Sequence, residues 1–244
     1  CGRDWSSDVC SSDLKEGYVF NGYYGEYNGN TICYINALGY LNTALIDSNY
    51  EFITQAVTFT AKWLQPIGFE PTANTLTYNG QQQVGVADNE FYDSITNNTA
   101  TNAGKYTATI ALKDGYCWQD NTTGEKTISW SIAKKVLTPS WTPNDDTLEY
   151  DYTGSHQAPI LTVTGNVDGE TINFTITYKK STGVTVTQLI EAGTYTVTYA
   201  ISSVTGGNAD ASNYCFDGDV TSVSKTYSIV VKTVNVPAQS GKLT

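Results

Sequence analysis

Four short landmarks occur twice along this chain in the same order, and that duplication constrains the fold more than any other feature. The first set is Tyr78-Asn79-Gly80, Ala103-Gly104-Lys105-Tyr106-Thr107-Ala108-Thr109, Tyr116-Cys117-Trp118 and Ser129-Trp130-Ser131-Ile132. The second is Tyr152-Thr153-Gly154, Ala192-Gly193-Thr194-Tyr195-Thr196-Val197-Thr198, Tyr214-Cys215-Phe216 and Thr226-Tyr227-Ser228-Ile229. Successive landmarks are displaced by 74, 89, 98 and 97 positions. The second copy is therefore longer, with extra residues before its Ala-Gly landmark and again before Tyr-Cys. Insertions of that kind belong in loops or added hairpins. A repeat of this length is expected to be one structural unit used twice.

Within the copies, apolar residues alternate with threonine and serine. Tyr195, Val197, Tyr199 and Ile201 fall on one face, with Thr196 and Thr198 on the other. Tyr106, Ala108, Ile110 and Leu112 do the same in the first copy. Ile128, Trp130 and Ile132 answer to Tyr227, Ile229 and Val231, and Ile172, Phe174, Ile176 and Tyr178 add a further strand. Period two is the mark of a half-buried strand. Stiff, β-branched threonine suits the solvent face of a pleated surface. Glycines at 80, 115, 124 and 154 supply turns between strands. No amphipathic helix is legible in either copy. Many short strands per copy predict an all-β protein of tandem two-layer sandwiches, immunoglobulin-like in architecture.

Both copies resemble the bacterial immunoglobulin-like repeats of large secreted and surface-anchored proteins. The resemblance rests on Leu76-Thr77-Tyr78-Asn79-Gly80, on Asn102–Thr107 and on Trp130-Ser131-Ile132-Ala133-Lys134-Lys135. The second copy departs at its opening, Tyr150-Asp151-Tyr152-Thr153-Gly154, and lacks the double lysine at its close. Upstream, Gly17-Tyr18-Val19-Phe20-Asn21-Gly22-Tyr23-Tyr24 and Thr58-Phe59-Thr60-Ala61-Lys62-Trp63, preceded by Val57, look like the two ends of a Listeria–Bacteroides repeat, a small β-grasp-like module. Tyr23 replaces that pattern's tryptophan and Thr60 its tyrosine. The module's first strand should precede Gly17, and the resemblance implies a truncated module that is the least stable part of the chain.

The expected organisation is then 15–65 for this module, 66–135 for the first sandwich, 136–232 for the second, and 233–244 for the start of a third, since 236–244 resembles 70–77. Short connectors, Leu64–Gly68, Lys134–Pro143 and 232–238, carry proline or β-branched residues and predict limited flexibility. Residues 1–14, CGRDWSSDVCSSDL, share no pattern with the rest. Back-translated, 4–14 spell a common sequencing-library adapter in frame, so this segment is expected to be adapter-derived and disordered and is excluded from fold reasoning. The chain contains no methionine and is read as a fragment cut at both ends.

Composition narrows the function classes. Hydrophobic residues make up 40% and charged residues 15%, too apolar for a disordered tail. No apolar run approaches the ~20 residues of a membrane helix. Thirteen basic against 24 acidic residues give a net charge of -11, which argues against nucleic acid as a partner. The single histidine, His156, excludes most histidine metal sites and makes a Ser-His-Asp triad improbable; it follows a turn and is expected at the surface.

No residue emerges as a catalytic, cofactor-binding or metal site. Cys117 and Cys215 occupy the same landmark in separate copies, so they are expected as small core residues rather than a disulfide pair, and Cys33 likewise. Asp217-Gly218-Asp219 has the look of a calcium loop but lacks the spacing of six or more oxygens; Asp145 and Asp146 lie at a junction. Trp63 and Trp130 are assigned inward, leaving Trp141 and Trp118 as candidate surface aromatics. Asn97, Asn121 and Asn173 head Asn-x-Thr triplets that are read as incidental. The expectation is a non-catalytic stalk or spacer of a secreted or cell-surface bacterial protein, adhesin-like, without cofactors, a monomeric rod. The alternative is a module binding an extracellular glycan or host protein through sandwich-end loops, at 202–213 or in the extra residues before Ala192.

Overall fold

The computed structural model describes residues 15–45, 58–145, 148–208 and 210–231. The adapter-like segment, the third-copy opening at 233–244, Val57 and Asp146 lie outside the described residues. Among the described residues the protein is all β, with 3-10 turns at Thr43–Leu45, Ala211–Asn213 and Asp217–Asp219 and no α-helix. The chain forms two compact units. The first holds the described residues of 1–74 with 86–98 and 106–130; the second holds 75–85, 99–105 and the described residues of 131–244.

In the first unit, β1 (Val19–Tyr27) lies between β2 (Asn30–Asn36) and β3 (Thr60–Pro66), antiparallel to both. Asn28 and Gly29, with φ of 51° and 77°, turn β1 into β2. A tight two-residue hairpin needs this left-handed conformation twice, and Asn-Gly reaches it at least cost. Tyr34, Ile35 and Leu45 are buried together, with Tyr23, Tyr27 and Ile32 against them. Phe59 is 37% exposed and meets Tyr34 edge-on at 5.2 Å.

The first copy continues with β4 (Thr75–Thr77), β5 (Gln83–Val84), β6 (Tyr92–Thr96), β7 (Thr99–Ala100), β8 (Gly104–Leu112), β9 (Tyr116–Cys117) and β10 (Lys126–Ala133). The second comprises β11 (Lys135–Val136), β12 (Thr138–Thr142), β13 (Glu149–Asp151), β14 (Ile160–Thr164), β15 (Thr171–Lys180), β16 (Thr185–Val186), β17 (Gly193–Thr205), β18 (Tyr214–Cys215) and β19 (Ser222–Val230). Strand order is β4-β10-β8-β6 in one sheet and β13-β19-β17-β15-β16 in the other.

The landmarks sit in matching register. Thr75, Leu76 and Thr77 lie parallel to Ser131, Ile132 and Ala133; Glu149, Tyr150 and Asp151 lie parallel to Ser228, Ile229 and Val230. The next amide in each case closes the ladder: Tyr78 N donates to Ala133 O at 2.9 Å, and Tyr152 N to Val230 O at 2.8 Å. Cys117 O accepts from Ile67 N at 2.9 Å, and Cys215 O from Leu137 N at 2.8 Å. The loops that follow are closed alike, Trp118 N to Thr122 O and Phe216 N to Val220 O, both 2.8 Å. Asn121 and Asp219 take the same left-handed turn position, φ 64° and 59°.

Two of the stretches expected as connectors, Leu64–Gly68 and Lys134–Pro143, contain paired strands, while 232–238 lies outside the described residues. β3 pairs along most of its length with β1, and its last residues, Gln65 and Pro66, pair in parallel with Tyr116 and Cys117. β11 pairs in parallel with β18, and β12 antiparallel with β14. The sequence rule failed here because proline reads as a linker, whereas Pro66 and Pro139 sit where a strand can dispense with an amide donor.

The core follows the alternation over most of its length. Ala108, Ile110, Trp130 and Ile132 are buried in the first copy, and Tyr195, Val197, Tyr199, Tyr227 and Ile229 in the second. Each of the larger aliphatic side chains among them contributes about 1.5–3 kcal/mol on leaving water. In the second unit β12 and β14 cover the five-stranded sheet, bringing Trp141 against Tyr199 at 5.6 Å and burying Leu161. The prediction fails at three places. Phe174 pairs with Ile201 but Asn173 pairs with Ser203, so Ser202 is an inserted residue. That bulge shifts the phase: Ile201 is only half-buried, and Val204 takes the inward position. Ile176 is 42% exposed, and Val231, beyond the end of β19, is 73% exposed.

Candidate functional site

The most organised polar cluster of the protein lies in the second unit, where turns of the first copy meet turns of the second. The Tyr78-Asn79-Gly80 turn follows β4, and Asn102-Ala103 precedes β8. From the second copy come the turn entering β15, with Asn166, Val167 and Glu170, and the segment from Asn208 to Tyr214.

At its centre is Glu170, 3% exposed. Tyr78 Oη donates to Oε1 and Tyr214 Oη donates to Oε2, each at 2.6 Å. Among the described residues no lysine forms an ion pair with this carboxyl; hydroxyl donors hold it instead. Val167 N donates to Tyr214 Oη at 3.0 Å, and Asn166 Nδ2 donates to the Glu170 carbonyl at 2.7 Å. The two tyrosine rings meet edge-on at 5.5 Å. Asn208 Nδ2 donates to Gly80 O at 2.7 Å. Asn213, wholly buried, accepts from Ala103 N at 2.7 Å and donates to Asn102 Oδ1 at 3.1 Å. At the edge of this cluster's neighbourhood, Lys134 Nζ pairs with Asp219 Oδ1 at 2.8 Å.

Glycine permits the closeness. Gly80 has φ +79°, and a Cβ there would stand 2.8 Å from Val167 Cγ1. Gly207 has φ +54°, and its Cβ would fall 2.9 Å from Glu170 Oε1. Both positions combine a left-handed backbone with the absence of space for a side chain.

Burial, then the hydrogen bond to Glu170, push the Tyr214 hydroxyl up from the usual 10.0 to about 12, and the same causes raise Tyr78 further. Hydroxyls held protonated in this way are poor bases and poor nucleophiles at neutral pH. With Tyr78, Tyr214 and Asn213 at 0% exposure the cluster has no opening for a substrate. Its chemistry is to hold, since any parting of the two copies' turns would strand buried donors and acceptors at about 1–3 kcal/mol each.

The residues singled out in the sequence lie elsewhere. His156 is exposed, as expected, with Nδ1 accepting from Leu189 N at 3.3 Å and its ring edge-on to Tyr178. Cys117 and Cys215 are buried and unpaired, and Cys33 is half-buried and unpaired. Asp219 serves Lys134, and among the described residues no group of three or more His, Cys, Asp or Glu could hold a metal. Trp118 is not a surface aromatic: it is 0% exposed, with Nε1 donating to Gly124 O at 2.7 Å. Trp141 is half-buried against Tyr199. Within 202–213, Asn208 and Asn213 are engaged by Gly80, Asn102 and Ala103 rather than presented outward.

Sequence reasoning missed Glu170. It stands 92 residues from Tyr78, and an acid after Asp168-Gly169 reads as one more solvated turn. Neither a protein-family model nor a curated protein matches the chain.

Proposed function

We propose that this chain is a non-catalytic stalk or spacer segment of a secreted or cell-surface bacterial protein, adhesin-like, in which a Listeria–Bacteroides-type module precedes two bacterial immunoglobulin-like repeats. A spacer must keep its modules from folding back on one another. Flexible Gly/Ser linkers do the opposite, and ordinary contacts between domains allow motion by default. The observation that carries this reading is the clasp of Tyr78, Glu170 and Tyr214 with its flanking Asn208 and Asn213 contacts. It joins landmarks of the two copies through buried polar groups that water cannot replace without cost. The matching registers of the two copies support their reading as repeats, and the acidic, lysine-poor composition suits exposure outside a cell.

The test is the distance distribution between spin labels placed by a non-cysteine chemistry at the exposed Lys105 and Thr177, both in the second unit. The expected result is one narrow distribution that broadens in the Glu170→Ala, Asn213→Ala double variant while far-UV circular dichroism is unchanged. A distribution already broad in the unaltered chain would sink the spacer reading.

A further inference from the structure

A cleft of about 460 Å³ opens in the first unit, between the sheet of β1 and β3 and the turn that leaves β8 at Lys113-Asp114-Gly115. That volume falls within the range of sites that enclose small organic ligands. Three aromatic residues line it without closing it. Trp63 is half-buried and braced by Phe20, ring centroids 5.3 Å apart. Tyr116 is half-buried and braced by Phe91 at 5.0 Å. Tyr24, on the central strand, carries the Lys62 ammonium 4.3 Å above its ring centroid. Supported aromatic groups in an open, polar-lined cleft differ from core aromatics, which pack on one another until no room remains.

The polar groups fit the same kind of ligand. Asn21 offers a carboxamide that both donates and accepts, and Asp114 offers acceptors for hydroxyl groups. Lys62 and Lys113 are both exposed and both line the cleft. Lys113 Nζ donates to the Glu90 carbonyl at 2.7 Å, which fixes the side chain without neutralising it. Among the described residues neither lysine forms an ion pair, whereas Lys126, Lys134 and Lys180 do. On a chain of net charge -11, a cleft lined by two lysines outside any ion pair and by one carboxylate, Asp114, carries a net positive charge that attracts an anion.

We infer that this cleft binds a carboxylated saccharide, a uronic or sialic acid unit, with its ring against the aromatic walls and its carboxylate between Lys62 and Lys113. The polarised C–H face of a pyranose meets the negative face of an aromatic ring favourably. The hydroxyl groups fall to Asn21 and Asp114. A planar nucleobase would use the aromatic walls but make poor use of Asp114. The inference is independent of the spacer reading, because a spacer without a glycan site and a glycan site without a rigid joint are both possible molecules.

The test is calorimetric titration of the whole chain with glucuronic acid and with N-acetylneuraminic acid, each beside its methyl ester, and with glucose. Single sugar units bind weakly, so dissociation constants of about 1 mM are expected for the acids. The esters and glucose should bind at least about tenfold more weakly. Lys62→Gln and Lys113→Gln, both at exposed positions, should each weaken the acids by a similar factor while thermal unfolding stays where it was. Three results would overturn the inference: no binding of either acid, equal binding of acid and ester, or binding that survives both lysine substitutions. If Lys62→Gln disturbs its own strand, the Lys113→Gln result alone decides the matter.

Discussion

Glu170 shows how a single residue can be chemically ordinary in sequence and decisive in place. Its two oxygens are taken by hydroxyls 92 and 44 positions away, one on a turn and one on a strand that no local pattern connects. Tyr78 and Tyr152 head the same landmark, yet one is 0% exposed and the other 47%. The difference comes from what packs over each turn, and nothing within the turn encodes it. The cysteines were legible as small apolar residues at a strand landmark, and Cys117 and Cys215 are both buried. The clasp also makes a prediction in alkali. A free tyrosine ionises near 10.0, whereas Tyr214 keeps its proton to about 12. The folded state binds that proton more tightly. Its contribution to stability is therefore complete below pH 10 and is lost as pH rises through the interval to 12. Unfolding free energy measured by denaturant across that interval should fall less steeply in Tyr214→Phe, by about 1.4 kcal/mol per pH unit. An unchanged slope would mean that this hydroxyl is not held by the fold.

At the scale of elements, the period-two pattern gave strands and faces wherever the strand stayed regular, as in β8 and β10. It failed where an inserted residue changed the phase at Ser202, and where proline disguised paired strands as connectors. A bulge is invisible to a pattern because the sequence on each side still alternates correctly. Turns can be compared directly between the copies, since Gly80 and Gly154 share φ near +79° and +76°. Only the first is crowded: a Cβ at Gly80 would lie 2.8 Å from Val167, while at Gly154 its nearest neighbour is Tyr152 Oη at 3.9 Å. Alanine at Gly154 should cost only the backbone strain, about 1 kcal/mol. Alanine at Gly80 should cost that and about 1–2 kcal/mol more, through displacement of Val167. Thermal melts of the two variants measure the difference, and equal losses would show that the turns are alike in packing as well as in backbone.

For the whole molecule, charge is the governing quantity. Against a net charge of -11, the ion pairs formed by Lys126, Lys134 and Lys180 lie at the surface. Self-repulsion among carboxylates should exceed the attraction in those exposed pairs, which are worth little individually. Raising sodium chloride from about 10 mM to about 500 mM shortens the screening length several-fold and should raise the melting temperature by a few degrees. A fall would mean that the ion pairs matter more than the repulsion.

The course of β3 has a mechanical consequence. One uninterrupted run, Thr60–Pro66, is laced to β1 along its first part and to β9 at its end. A pull arriving along this strand from the direction of β1 loads the Gln65 and Ile67 amides, bonded to Gly115 and Cys117 oxygens, in shear. Bonds sheared together resist far better than bonds peeled one at a time. Leu64 is the last partner of β1 and Gln65 the first partner of β9, so tension passes straight from one ladder of the sheet into the other.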